Sequence, residues 1–134
     1  MTRLRILALI LYVLLIFFVS SRESITPPGP DFIMKDKLAH FGEYFVLGLL
    51  LFGGIGWTVS RSLFATFLFL FAVGVSVAAL DELLQSYIPG RRMDLFDWLA
   101  DAAGIATGVA IGVLGGATIR SNKTQTSGGA PARR

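Results

Sequence analysis

Four apolar runs constrain this chain before any single residue is weighed. They are Leu4–Val19, Phe41–Val59, Leu63–Leu80 and Leu95–Ile119, of 16, 19, 18 and 25 residues. Crossing the hydrocarbon core of a bilayer takes roughly 17–25 apolar residues in a helix. Core helices of a soluble protein would keep a polar face along their length, and these runs do not. With 54% hydrophobic residues and a mean hydropathy of +0.68, the 134-residue chain is too apolar for a soluble globule of its size. The expectation is an all-α membrane protein: a bundle of four transmembrane helices over residues 1–119, with both termini cytoplasmic. A polar tail over 120–134, rich in Gly, Ser and Pro, is expected to be a disordered cytoplasmic segment. The opening Met1-Thr-Arg-Leu-Arg5 also suits a signal peptide cleaved near Val19-Ser20-Ser21. An uncleaved first span is the preferred reading, with Arg5 snorkelling to the interface.

Between the runs, Pro27-Pro28-Gly29-Pro30 marks an irregular loop, and Pro89-Gly90 breaks the chain again. Asp36 reads as the N-cap of the second helix, and Asp94-Leu95-Phe96-Asp97 as an acidic capping box for the fourth. There is no cysteine, which excludes disulfides, thiol chemistry and thiolate zinc sites.

Charge placement sets the expected orientation. With the N-terminus, the Arg61 turn and the tail in the cytoplasm, that side holds Arg3, Arg5, Arg61, Arg120, Lys123, Arg133 and Arg134. The opposite side holds five basic residues and all nine acids, giving +7 inside against −4 outside. The pI near 9.7 therefore belongs to the ends facing an anionic leaflet, and nucleic acid is not an expected partner.

The hydrophilic island Asp81–Gly104 lies between two apolar runs and holds five carboxylates, two arginines and a glutamine. Ionisable groups at membrane depth are costly and generally functional. His40, Glu43 and Tyr44 share one side of the second helix; Asp81, Glu82 and Gln85 end the third. Asp97, Asp101, Gly104 and Gly108 follow one face of the fourth. Gly104, Gly108, Gly112 and Gly116 form a small-residue ladder that allows close helix approach. Packing inside the bundle, with Gly74 and Ala78 as partners, is preferred to homo-oligomerisation through Gly104, Gly108 and Gly112. Arg91 and Arg92 are expected to fold onto Asp97 and Asp101.

Three readings of the island compete. It is a structural network, strongest for Asp36, Asp94 and Asp81 as ordinary helix-end acids. It is a pocket for the polar part of an amphiphile. Or it is a catalytic site with His40 or Glu82 as base and a hard cation on carboxylate oxygens. No HExxH spacing, activated serine or phosphate-binding glycine loop is present, so no cofactor and no metal ligand is assigned.

Asp36-Lys37-Leu-Ala-His40-Phe41-Gly-Glu-Tyr44, Asp81-Glu82-Leu-Leu-Gln85, Pro89-Gly-Arg91, and Asp97 with Gly104 seven residues on, together resemble the VanZ-like family of small bacterial membrane proteins. The resemblance covers about 35 to 112. It departs at Asp101, where the family usually has asparagine, and Glu43 is outside the pattern. It implies a multi-span protein of the cell envelope; the family's namesake reduces susceptibility to teicoplanin, a lipid-bearing glycopeptide, and most members occur without a resistance cluster. The expected ligand set is Asp36, Lys37, His40, Tyr44, Asp81, Glu82, Gln85, Arg91, Arg92, Asp97 and Asp101. The expected partners are membrane lipids and a lipid-linked envelope precursor or glycopeptide, met on the extracytoplasmic side.

Overall fold

A chain segment in hydrocarbon has no water to satisfy its backbone and must pair every N–H and C=O internally, which a helix does. A computed structural model shows this outcome over the described residues, 2–22, 34–60, 62–91 and 93–127. α1 is Thr2–Ser20. α2 is Met34–Leu51, prolonged by a π-helical turn Phe52–Gly56 and a last turn Trp57–Val59. α3 is Leu63–Gln85 and α4 Leu95–Ser127. All four are long and apolar enough to cross a membrane, and among the described residues there is no strand.

Local chemistry fixes the ends. Ser62 caps α3, its hydroxyl accepting from the Ala65 amide at 3.3 Å. Beyond α3 the chain reverses at Gly90, whose φ of +83° is the left-handed conformation glycine adopts freely. Asp94 accepts the Phe96 amide at 2.8 Å and so caps α4. The reciprocal arm of the expected capping box is absent. The Asp94 amide is instead bound by the Glu82 carboxylate of α3 at 3.0 Å, which leaves Asp97 for another partner. Asp36 lies inside the first turn of α2, which begins at Met34, and is not its N-cap. There it faces the positive end of the helix dipole.

The polar tail departs from expectation in part, being helical as far as Ser127. Once nucleated, a helix continues through Asn, Lys, Thr and Gln at a cost of a few tenths of a kcal/mol each. Residues 128–134 lie outside the described residues, as does the Pro-rich loop.

The chain runs alternately up and down. The end of α1 meets the end of α3, where the Ser20 hydroxyl donates to Asp81 at 2.9 Å. The starts of α2 and α4 meet at the same level, where His40 contacts Asp101. α2 and α4 are therefore parallel, and they make the most extensive helix–helix contact in the fold. Their register is constant. Lys37 meets Asp97, sixty residues on; Gly48 meets Gly108; and Phe52 meets Gly112.

The glycine ladder is what makes this approach possible. A Cβ on Gly104 would collide with the Phe41 carbonyl, and one on Gly108 with the Phe45 carbonyl. The ladder's intramolecular partner is thus α2, not Gly74 and Ala78 of α3. Gly74 is packed instead by the Ile105 side chain, 2.6 Å from where its Cβ would stand. Ile105, Val109, Tyr44, Leu47 and Leu70 are fully buried beside this seam. Leu4, Leu7, Leu11, Leu14, Phe18, Phe64 and Leu114 are exposed, as side chains facing lipid would be. α1 is the most peripheral span and α4 the most deeply buried.

Candidate functional site

The four helix ends gathered at one level carry the ionisable groups singled out from the sequence. α2 presents Lys37 and His40 towards α4. The Lys37 ammonium sits between the Asp94 carboxylate, at 2.9 Å, and the Asp97 carboxylate, which it also hydrogen-bonds. Asp36 is 4.0 Å from the same ammonium and largely exposed. Asp94 lies outside the spans, and the hydrogen bonds from Lys37 and the Phe96 amide hold its carboxyl below its ordinary value.

One helical turn deeper, His40 Nδ1 is 3.0 Å from Asp101 Oδ1. The Asp101 side chain is wholly buried and that of His40 nearly so. On the α3 side, Asp81 is buried and accepts from Ser20 at 2.9 Å and from Gln85 Nε2 at 3.0 Å. Glu82 is buried and bound through Oε2 to the Asp94 amide. Tyr44, wholly buried in α2, has its hydroxyl beside the Asp81 carboxylate.

Lys37, His40, Tyr44, Asp81, Glu82, Gln85, Asp97 and Asp101 are therefore gathered at one end. Glu43 is half-buried; its backbone carbonyl accepts from the Tyr12 hydroxyl of α1 at 3.0 Å. Asp36 stands at the rim. Arg91 is half-buried and makes no ion pair with Asp97 or Asp101, contrary to the expected pairing. Those partners are Lys37 and His40, which the parallel register of α2 and α4 sets at the right depth. Arg92 lies outside the described residues.

Three contributors were not picked out from the sequence. Ser20 reads as part of a cleavage site until α1 is seen against α3. Asp94 reads only as a cap. Trp98 carries no mark in the sequence, yet its indole N–H is buried without an acceptor. The apolar pattern of α1 carries no signal for the inward position of Ser20.

The arrangement is incompletely satisfied. Among the described residues, the buried side-chain polar atoms without a hydrogen-bond partner are Tyr44 OH, Asp81 Oδ1, Glu82 Oε1, Arg91 Nε, Trp98 Nε1 and Asp101 Oδ2. All six belong to this end of the helices. Native proteins pair some nine in ten or more of such groups. Acceptors outnumber donors here, and both kinds are present, so the site has the chemistry to take a cation, or a ligand with mixed polarity.

No curated protein and no solved structure matches this chain. A model of the VanZ/LLP1 family matches residues 5–116, which takes in all four spans, the helix-end cluster and the glycine seam. The chain belongs to the VanZ/LLP1 family.

Proposed function

We propose that this is a multi-pass protein of the cell membrane whose polar end faces outward and binds the polar part of an amphiphilic or lipid-linked envelope ligand. The observation that carries this reading is the set of under-satisfied buried polar atoms that the described residues gather at a single end of the helices, foremost Glu82 Oε1, Asp101 Oδ2, Arg91 Nε and Trp98 Nε1. Each costs about 1–3 kcal/mol if nothing binds it, so their concentration at the membrane edge favours a site that is completed by something else. Arg91 is the recognition residue for an anionic group, because its side chain is half-buried and forms no close ion pair with Asp94, Asp97 or Asp101. Arg92 is proposed as its neighbour in this role. His40, Glu82, Gln85 and Asp97 are proposed to contact the ligand beside Arg91.

The outward orientation rests on the basic residues at the opposite ends of the spans. Cysteines placed singly at Ser86 and Ser121 should label from opposite sides of the membrane; labelling of both from one side overturns it. Teicoplanin is one amphiphile with suitable chemistry, a lipid chain joined to a polar peptide. Binding of teicoplanin and of a polyisoprenyl phosphate to the detergent-purified protein tests the site itself. At least tenfold weaker binding by Arg91→Ala is expected, and equal binding by that variant and the parent protein sinks the proposal.

A second reading is proton transfer on a lipid-linked substrate. It draws on Glu82 Oε1, buried and free beside His40. Turnover unchanged in His40→Gln would exclude His40 from that chemistry. A purely structural network, the third reading, requires that loss of Asp97 lower stability and function in parallel.

A further inference from the structure

We infer that His40, Glu82 and Asp101 form a binding site for one divalent first-row transition-metal ion. The three come from three helices, α2, α3 and α4. One ligand atom from each lies within 4.8 Å of the other two. Donor atoms bound to a common ion at about 2.0–2.2 Å stand at most about 4.4 Å apart, so a small side-chain adjustment closes the set.

Proximity of acids alone would not make a site. The independent observation is that Glu82 and Asp101, 3% and 0% exposed, each keep one buried oxygen with no partner: Oε1 of Glu82 and Oδ2 of Asp101. Charge points the same way. Lys37 is already committed to Asp94 and Asp97. The hydrogen bonds to Glu82 and Asp81 come from neutral donors only: the Asp94 amide, the Ser20 hydroxyl and the Gln85 amide. Among the described residues, the ion-pair partner of Asp101 is His40, which is cationic only when protonated. Buried carboxylates whose hydrogen bonds come from neutral groups are stabilised by a divalent cation.

Ligand chemistry selects the ion. An imidazole nitrogen with two carboxylate oxygens suits Zn²⁺, Mn²⁺ or Fe²⁺ better than Mg²⁺ or Ca²⁺, which favour all-oxygen shells. Three protein ligands leave coordination positions open to water or to an anionic oxygen. The other nearby grouping, Asp36, His40 and Asp97, is weaker, since Asp36 is exposed and Asp97 is bound to Lys37. The inferred site does not depend on which amphiphile the polar end takes.

Titration of chelator-stripped, detergent-purified protein with Zn²⁺ and with Mn²⁺, followed by calorimetry, tests the inference. One ion per chain is expected. Binding should weaken at least tenfold in Glu82→Gln and in Asp101→Asn and stay unchanged in Asp36→Asn, with all proteins monodisperse by size exclusion. Should a variant fail to fold, X-ray absorption of the zinc-loaded parent protein decides, an N/O shell containing one imidazole being expected. Absence of binding, binding undiminished in both variants, or a metal shell without imidazole would overturn the site.

Discussion

The seam between α2 and α4 is built from two chemistries in one continuous register. At the deep end, Gly48 meets Gly108 and Phe52 meets Gly112, backbone against backbone or against ring, with no polar group involved. At the shallow end the same register brings Lys37 to Asp97 and His40 to Asp101. Among the described residues, the lower part leaves no buried polar side-chain atom without a partner; above, all six such atoms accumulate. The difference separates what holds the helices from what they hold. Without a hydrophobic drive between helices in lipid, close packing of small residues must supply the association. A firmly packed lower seam can then fix a polar cluster above it that its own contacts do not satisfy.

The largest effect should come from breaking the lower seam. In Gly108→Val the first added carbon already meets the Phe45 carbonyl, and backbone has nowhere to yield. The expected destabilisation is at or above the upper end of the ~1–3 kcal/mol usual for overpacking, read as a fall in thermal unfolding temperature in detergent. Gly115→Val is the control, because no atom lies within 4 Å of its missing Cβ. It should be nearly silent, and comparable losses at the two positions would mean that the seam is not the packed element.

Removing charge above should cost less and should be recoverable. Lys37→Met leaves Asp97 without its cation, a change worth about 3–5 kcal/mol for a fully buried pair. Lys37 retains 25% side-chain exposure, so a loss on the order of 2–3 kcal/mol is expected. Adding Asp97→Asn should restore at least half of it, since the burden is the orphaned carboxylate. No recovery in the double variant would show that Lys37 acts through packing of its stem. Gly108→Val should have no such rescue, and that distinguishes steric from electrostatic halves of one seam.

Run length and charge spacing made the four spans, the helical depth of Asp97 and Asp101, and the intramolecular use of the glycine ladder legible in the sequence. Partner identity was not. A small-residue stripe states that something comes close without saying which helix, and so Gly74 and Ala78 looked as suitable as α2. Arginine at the preceding turn looked like the natural partner of Asp97, because sequence proximity is visible and a sixty-residue register is not. Ser20 was hidden for a related reason, a single hydroxyl in an apolar run having no periodicity to mark its face. The unsatisfied atoms are a property of three-dimensional geometry alone. Periodicity locates carboxylates on a face but does not count the donors they find there.

The smallest effect isolates the outermost charge of the seam. Asp94 caps α4 and pairs with Lys37 at once, and Asn is about as good a cap, so Asp94→Asn removes the charge and spares the cap. The folded carboxyl is held below its ordinary value by Lys37 and the Phe96 amide. Its contribution is therefore fully present above the unfolded-state value, near 3.9, and is lost as pH falls through the folded one. The difference in unfolding temperature between the parent protein and Asp94→Asn should hold steady from about pH 8 to about pH 5 and shrink below about pH 4. A difference that persisted undiminished to pH 2 would mean that the carboxylate's charge contributes nothing there, leaving the Lys37 end of the seam to Asp97 alone.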